Sequence, residues 1–153
     1  MTSLCSEVLR ALRGRTLVTA ESCTGGGIGA ALTAVPGSSA VYKGGIISYV
    51  NEIKSSQLNV SRDALNTYGA VSSVVACQMA EGARTALRAD YAVSVTGLAG
   101  PSGDDFGNPV GTVYIGFSSE EKTISEKFNF SGDREDVRSQ AICAALDMIL
   151  DNI

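Results

Sequence analysis

The stretch Thr16–Val35, TLVTAESCTGGGIGAALTAV, determines how the chain is to be interpreted. A β-branched apolar run leads into a turn of hydroxyl and thiol side chains, then into three glycines, and then into small residues with helical spacing. This order predicts a strand over Arg15–Ala20 and a helix over Gly26–Val35. Because backbone N–H groups at the start of a helix bind anions and glycine permits close approach, the turn is a candidate site for a phosphate or carboxylate. A plain turn capped by Ser22 or Thr24 is the alternative.

Strand and helix patterns alternate along the rest of the chain. A helical pattern covers residues 2–13, a strand pattern covers GIISYV (Gly45–Val50), and the clearest long helix covers Ser72–Arg88. A buried-type strand then begins at Asp90, two strands follow in VGTVYIGF and KTISEKFNF, and a last helix begins at about Asp133. The predicted fold is a three-layer α/β/α sandwich with a mostly parallel mixed sheet of about five to six strands and an antiparallel hairpin near its end.

Composition restricts the classes of function. The 153 residues fit one domain, 44% of them are hydrophobic, and the formal charge is −4. A net negative field repels nucleic acid and anionic membranes, and no apolar run approaches the roughly 18 residues needed to span a bilayer. We therefore expect a single cytoplasmic domain over residues 1–153 that binds neither nucleic acid nor membrane.

The residue types that are missing restrict the chemistry. The chain has no histidine, and its four cysteines form no C-x-x-C pair. These absences exclude a Ser-His-Asp or Cys-His arrangement within the chain and any metal held by histidine. A general base must then be a carboxylate, a lysine or a tyrosine. We expect no cofactor and no metal ion, since the adjacent Asp104 and Asp105 are typical of a solvated loop tip.

The glycine turn also matches the dinucleotide fingerprint G-x-G-x-x-[GA], at Gly25, Gly27 and Ala30. Glu52 lies at a suitable distance downstream for a ribose hydroxyl. However, the segment Glu21–Thr24 separates the predicted strand from the first glycine, and the short chain leaves little room for a substrate domain. A small oxidoreductase is therefore the weaker alternative.

A second candidate for chemistry is the segment VPGSSAVYKGGIISYVNEIK, residues 35–54. It supplies Ser38 and Ser39 in a Pro-Gly loop, Tyr49 at a strand end and Lys54 just after it. A serine hydroxyl needs a base to become a nucleophile, and a desolvated lysine can replace the missing histidine. The spacing alone is equally compatible with a turn serine, a half-buried aromatic residue and a solvated charge. A thiol nucleophile at Cys23 stays open as well.

Several long sequence segments, in order along the chain, resemble the C-terminal domain of the competence/damage-inducible protein CinA, a family that includes nicotinamide-nucleotide amidohydrolases. The matching segments are TAESCTGGGIGAALTAVPGSSAVYKGGIISYVNEIK, GAVS, SVTGLAGPSGD, GNPVGTVYIG and GDREDVR. The resemblance implies a deamidase that converts nicotinamide mononucleotide into nicotinic acid mononucleotide and ammonia. It also implies a homodimer or a higher homo-oligomer.

Carried over by position, the resemblance implies Ser39 as the nucleophile, Lys54 as its proton acceptor, and Tyr49 as a residue that orients one of them or the carboxamide. The implied substrate-binding residues are Ser22, Thr24, Gly25 and Gly26 on one wall, Thr96, Gly97 and Gly100 on the other, and Arg134 or Arg138 at the phosphate. The family often carries a hydroxyl residue where this chain has Val50. A domain that binds the nucleotide without catalysis is therefore the second interpretation.

Overall fold

The structure is a computed structural model that describes residues 1–153, and at its centre lies a sheet of five strands. They are β1 (Leu17–Glu21), β2 (Tyr42–Ile47), β3 (Tyr91–Gly97), β4 (Thr112–Ser118) and β5 (Thr123–Asn129). In the order β2-β1-β3-β4-β5, β1 pairs in parallel with β2 and β3, whereas β4 pairs antiparallel with β3 and β5. The predicted mixed sheet, with its parallel part and its antiparallel hairpin near the end, is confirmed.

Helices cover both faces of this sheet. One face carries α1 (Thr2–Ala11), α2 (Gly27–Thr33) and α6 (Arg134–Asn152), and the other carries α3 (Asn51–Leu58), α4 (Arg62–Tyr68) and α5 (Ser73–Ala86). Because side chains of a strand alternate between the two faces, Leu17 packs into the first apolar layer and its neighbour Val18 into the second. The predicted three-layer sandwich is therefore confirmed. None of the helices is both long and apolar enough to span a bilayer.

The second strand lies earlier in the chain than its pattern predicts. Its pairing with β1 ends where Ile47 lies opposite Glu21, so the predicted strand over Gly45–Val50 is corrected to Tyr42–Ile47. The chain leaves the sheet at Ser48, whose amide donates to the carbonyl of Glu21 at 2.8 Å. The three residues from Ser48 to Val50 therefore form a corner at the carboxyl end of β2, and α3 follows directly.

Three parallel strands end at one edge of the sheet. The turn after Glu21, the corner after Ile47 and the loop after Gly97 consequently lie side by side, which is where ligands bind in open α/β sheets. The start of α6 reaches the same edge and is fixed there by a capping box between Asp133 and Asp136.

Candidate functional site

A cavity of about 450 Å³ lies at this edge, within the usual size range of small-molecule sites. Its walls come from the turn after β1, the corner after β2, the loop after β3 and the first residue of α6. The predicted residues Ser22, Tyr49, Lys54, Arg134 and the β3-end group all line it; that group is Thr96, Gly97 and Gly100.

Lys54, in α3, is a buried charge at the floor of this cavity, with only 1% of the residue exposed. Its Nζ donates to Ser22 Oγ at 2.9 Å and to the carbonyl oxygens of Ser48 at 2.8 Å and Tyr49 at 3.2 Å. No carboxylate lies against it, since the structure has one ion pair and that pair joins other residues. Burial lowers the pKa of Lys54 from its ordinary 10.5 to about 8, because the charged form is desolvated.

Ser22 is the hydroxyl that meets Lys54. It directly follows β1 and is 7% exposed. Its amide donates to Val95 of β3 at 3.0 Å, and its carbonyl accepts from Gly25 at 3.0 Å, so the backbone is held on both sides. Its Oγ lies 3.4 Å from the carbonyl oxygen of Tyr49. This arrangement fixes the hydroxyl between the buried amine and the cavity.

Ser39 does not lie in the cavity. It belongs to a short 3-10 turn, Ser38–Ala40, which precedes β2, and its side chain is exposed. The six residues of β2 carry the chain across the sheet, a rise of about 20 Å. Residues before and after such a strand lie at opposite edges, so the predicted pairing of Ser39 with Lys54 is corrected: Lys54 pairs with Ser22.

The glycine turn holds an anion, but that anion belongs to the chain. The carboxylate of Glu21, 1% exposed, accepts hydrogen bonds from the Thr24 hydroxyl at 2.7 Å, from the amide of Ile28 at 2.9 Å and from the amide of Gly29 at 3.0 Å. The start of α2 is therefore occupied, which removes the place where a dinucleotide would put its pyrophosphate.

Three of the predicted substrate contacts shape the turn instead of lining the cavity. The side chain of Thr24 points to Glu21, and Gly25 and Gly26 have φ of +58° and +95°, which L side chains rarely adopt. None of the three lines the cavity. Their predicted place in the cavity wall is corrected accordingly.

The two arginines of GDREDVR have different positions. Arg134 lines the cavity and donates to the carbonyl of Gly100 at 2.6 Å and to the hydroxyl of Tyr49 at 3.0 Å. Arg138, one turn further along α6, does not line the cavity and donates to the carbonyls of Cys23 and Thr24 at 3.0 and 3.2 Å. Only Arg134 has its guanidinium beside the cavity.

The remaining alternatives for chemistry lose support in this geometry. Burial raises the pKa of the Cys23 thiol to about 11, which keeps it protonated and poorly nucleophilic. Asp104 is engaged by the amides of Phe106 and Asn108 and by the Asn108 side chain, and it belongs to no cluster of three or more possible metal ligands. Val50 caps α3, is exposed and does not line the cavity.

Comparison with known proteins gives one family. Residues 1–153 match the family model described as the CinA C-terminal domain. A CinA-like protein of Endomicrobium trichonymphae is 48% identical over 135 residues, which are 88% of this chain and 32% of that protein. A putative competence-damage inducible protein of Caldanaerobacter subterraneus subsp. tengcongensis is 45% identical over 137 residues, 90% of this chain and 33% of that protein. The chain thus spans about a third of the length of these relatives.

Solved structures agree with this assignment. The competence damage-inducible protein A of Klebsiella pneumoniae superimposes with a TM-score of 0.96 at 37% identity, over 99% of this chain and 95% of that one. A CinA superfamily protein of Escherichia coli gives a TM-score of 0.97 at 34% identity, over 99% and 90%.

Proposed function

The chain belongs to the CinA C-terminal domain family, and we propose that it is an amidohydrolase that converts nicotinamide mononucleotide and water into nicotinic acid mononucleotide and ammonia. The main support is the 2.9 Å hydrogen bond between Lys54 Nζ and Ser22 Oγ. A serine beside a base is the activated nucleophile that amide hydrolysis needs. Ser22 takes the role predicted for Ser39, and Lys54 keeps the role of proton acceptor.

The contacts of Lys54 explain how it turns from donor to acceptor. As an ammonium group it has three N–H bonds, and Ser22, Ser48 and Tyr49 accept all of them. After loss of one proton, two N–H bonds still serve the two carbonyl oxygens, and the lone pair faces Ser22 Oγ. The hydrogen bond then reverses, so that the serine donates to the amine. A pKa of about 8 makes this neutral form available near neutral pH.

The reaction follows from this pair. Ser22 Oγ forms a bond with the carboxamide carbon while its proton moves to Lys54 Nζ, and the carbonyl oxygen becomes an oxyanion. As the C–N bond breaks, Lys54 returns that proton to the leaving nitrogen and ammonia departs. Water then attacks the ester carbon on Ser22 and gives one proton to Lys54. As the ester C–O bond breaks, Lys54 passes that proton to Ser22 Oγ and the acid departs.

One guanidinium at the cavity, which Asp104 and Asp105 also line, supports a phosphorylated substrate. The guanidinium of Arg134 has only neutral partners, the Gly100 carbonyl and the Tyr49 hydroxyl, so its charge is free for a phosphate. We assign the phosphate contact to Arg134. Tyr49 then orients Arg134 through its hydroxyl and Lys54 through its carbonyl.

The reaction as written needs neither a metal ion nor a cofactor. We also propose that the domain acts as a cytoplasmic homodimer or higher homo-oligomer, without nucleic-acid or membrane partners, as the family resemblance and composition lead us to expect.

The direct test is to incubate the purified protein with nicotinamide mononucleotide and to measure ammonia and nicotinic acid mononucleotide. The two products should form in equal amounts. Ser22→Ala serves as the inactive control. Tight binding of the nucleotide by the wild type without ammonia release would instead favour a binding domain, and the amidohydrolase would be rejected.

A further inference from the structure

We propose that Arg138 is a positioning residue, which holds the turn so that the backbone N–H of Cys23 faces the oxyanion that forms when Ser22 attacks. This role rests on the proposed function, because an oxyanion forms only if the site performs acyl transfer. Arg138 does not touch the cavity, so its effect must pass through the turn that it holds.

The amide that follows Ser22 is a free donor toward the cavity. The N–H of Cys23 donates to no other residue, whereas the amide of Gly25, two residues further on, donates to the Ser22 carbonyl. Cys23 lines the cavity beside Ser22. Serine hydrolases of the α/β-hydrolase fold bind the oxyanion with the backbone N–H of the residue after the nucleophile, and the Cys23 N–H occupies that place in the chain.

Peptide geometry sets the direction of this donor. In a planar trans peptide, the carbonyl and the following N–H point in opposite directions. The carbonyl of Ser22 accepts from Gly25 inside the turn, so the N–H of Cys23 points out of the turn. The carbonyl of Cys23 accepts from Arg138 Nε at 3.0 Å, which holds the same residue from its other side.

Arginine suits this role because its planar guanidinium presents several donors in a fixed arrangement. Nε serves the Cys23 carbonyl, and a terminal nitrogen serves the Thr24 carbonyl at 3.2 Å. On its other side the Thr24 hydroxyl is held by Glu21 at 2.7 Å. The Cys23–Thr24 segment is therefore fixed by a cation and an anion.

The first experiment separates kcat from binding. Arg138→Gln is expected to lower kcat roughly 10- to 100-fold, somewhat less than deletion of an oxyanion donor, because the Cys23 donor is misaligned and not removed. The KM should stay within about threefold. Arg138→Lys, which keeps the charge, should be intermediate. Arg13→Gln, an exposed site beyond α1 at the opposite edge of the sheet, is the charge-matched control and should match the wild type.

The second experiment uses 3-pyridylboronic acid, which adds to a serine hydroxyl and forms a tetrahedral anion without turnover. In the wild type, the amide resonance of Cys23 should shift on adduct formation, and Arg138→Gln should weaken the adduct by the same factor as kcat. The Kd for nicotinamide mononucleotide, measured in Ser22→Ala with and without Arg138→Gln, should not change by more than about threefold. A merely structural role would not make the two losses equal.

Several results would overturn the role of Arg138. They are wild-type kcat and boronate affinity in Arg138→Gln, a rise confined to KM, or the absence of a boronate adduct in the wild type. If Arg138→Gln does not fold, Arg138→Lys decides in the same way. If the wild type releases no ammonia, the proposed function fails, yet the boronate comparison still tests Arg138: a weaker adduct in the variant supports its role, and an equal one rejects it.

Discussion

The Nζ atom of Lys54 lies 2.9 Å from the Oγ atom of Ser22, across 32 positions of sequence. Two neighbouring parallel strands bring them together, because Ser22 follows β1 and Lys54 belongs to the helix that begins after the β2 corner. The amine is buried and the hydroxyl borders the cavity. Each member of the pair can be tested separately.

Removal of the Ser22 hydroxyl should abolish turnover and spare binding. We expect Ser22→Ala to lower kcat by roughly 10³-fold or more, while the Kd for nicotinamide mononucleotide stays within a few fold, since the hydroxyl is used in the bond-forming step. Ser39→Ala is the matched control and should have wild-type kcat and KM. Ammonia release and calorimetric titration measure the two quantities. Full activity in Ser22→Ala, or its loss in Ser39→Ala, would reverse the assignment.

Lys54 should be needed as a proton acceptor and not merely as a charge. Arginine keeps the charge but does not deprotonate in proteins, so Lys54→Arg and Lys54→Met should both lose kcat by roughly 10²- to 10⁴-fold. In the wild type, kcat/KM should rise with pH through an apparent pKa of about 8, and neither variant should show that rise. Lys43→Arg, on the exposed face of β2, controls for the substitution. Near-normal kcat in Lys54→Arg would make Lys54 an electrostatic contact.

Burial of Lys54 should also leave a signature in stability. Between pH 8 and 10.5 the unfolded chain keeps a proton that the folded chain has lost, so the free energy of unfolding rises with pH in that window. A change of pKa from 10.5 to about 8 corresponds to about 3 kcal/mol. The unfolding free energy of the wild type, minus that of Lys54→Met, should therefore increase by about this amount from pH 7.5 to 10.5. Denaturant titrations at both pH values measure it, and a difference that is constant with pH would contradict it.

The fold could be predicted from local patterns because each element carries its own signal. Apolar strands that alternate along the chain with amphipathic helices specify a three-layer sandwich, and this pattern can be read without knowledge of long-range contacts. The sequence pattern predicts the end of β2 three residues too late, because Tyr49 and Val50 are also typical strand residues, whereas the strand ends where Ile47 pairs with Glu21.

The site was only partly predictable because it depends on which strand ends share an edge. Ser22 and Lys54 both follow strands, whereas Ser39 precedes one, and with this rule applied the sequence would have favoured Ser22. The glycine turn did predict an anion, but not that Glu21 would supply it. Arg134 and Arg138 lie on one helix face, so the sequence does not show which of them reaches the cavity. The structure places Arg134 beside the cavity and Arg138 against the turn.

Glu21 should be among the most important residues for stability outside the apolar core. Its buried carboxylate accepts hydrogen bonds from Thr24, Ile28 and Gly29, and hydrogen bonds to a charged group contribute about 1.5–3 kcal/mol each. Glu21→Ala leaves these donors without an acceptor and should lower the free energy of unfolding by about 3 kcal/mol or more. Glu7→Ala, on the exposed surface of α1, is the control and should change it by less than about 0.5 kcal/mol. Equal Tm values for the two variants would show that the turn does not depend on this carboxylate.

Arg134 should distinguish phosphorylated from unphosphorylated substrate. Its guanidinium lies at the cavity with neutral partners only, Tyr49 and Gly100, and a charged hydrogen bond to phosphate contributes about 1.5–3 kcal/mol. We expect Arg134→Gln to raise the KM for nicotinamide mononucleotide roughly 10- to 100-fold, with a much smaller change for nicotinamide riboside, which lacks the phosphate. Lost contacts to Tyr49 and Gly100 affect both substrates alike, so the ratio of the two kcat/KM values isolates the phosphate contact. Arg13→Gln should leave that ratio unchanged, and an unchanged ratio in Arg134→Gln would mean that another group binds the phosphate.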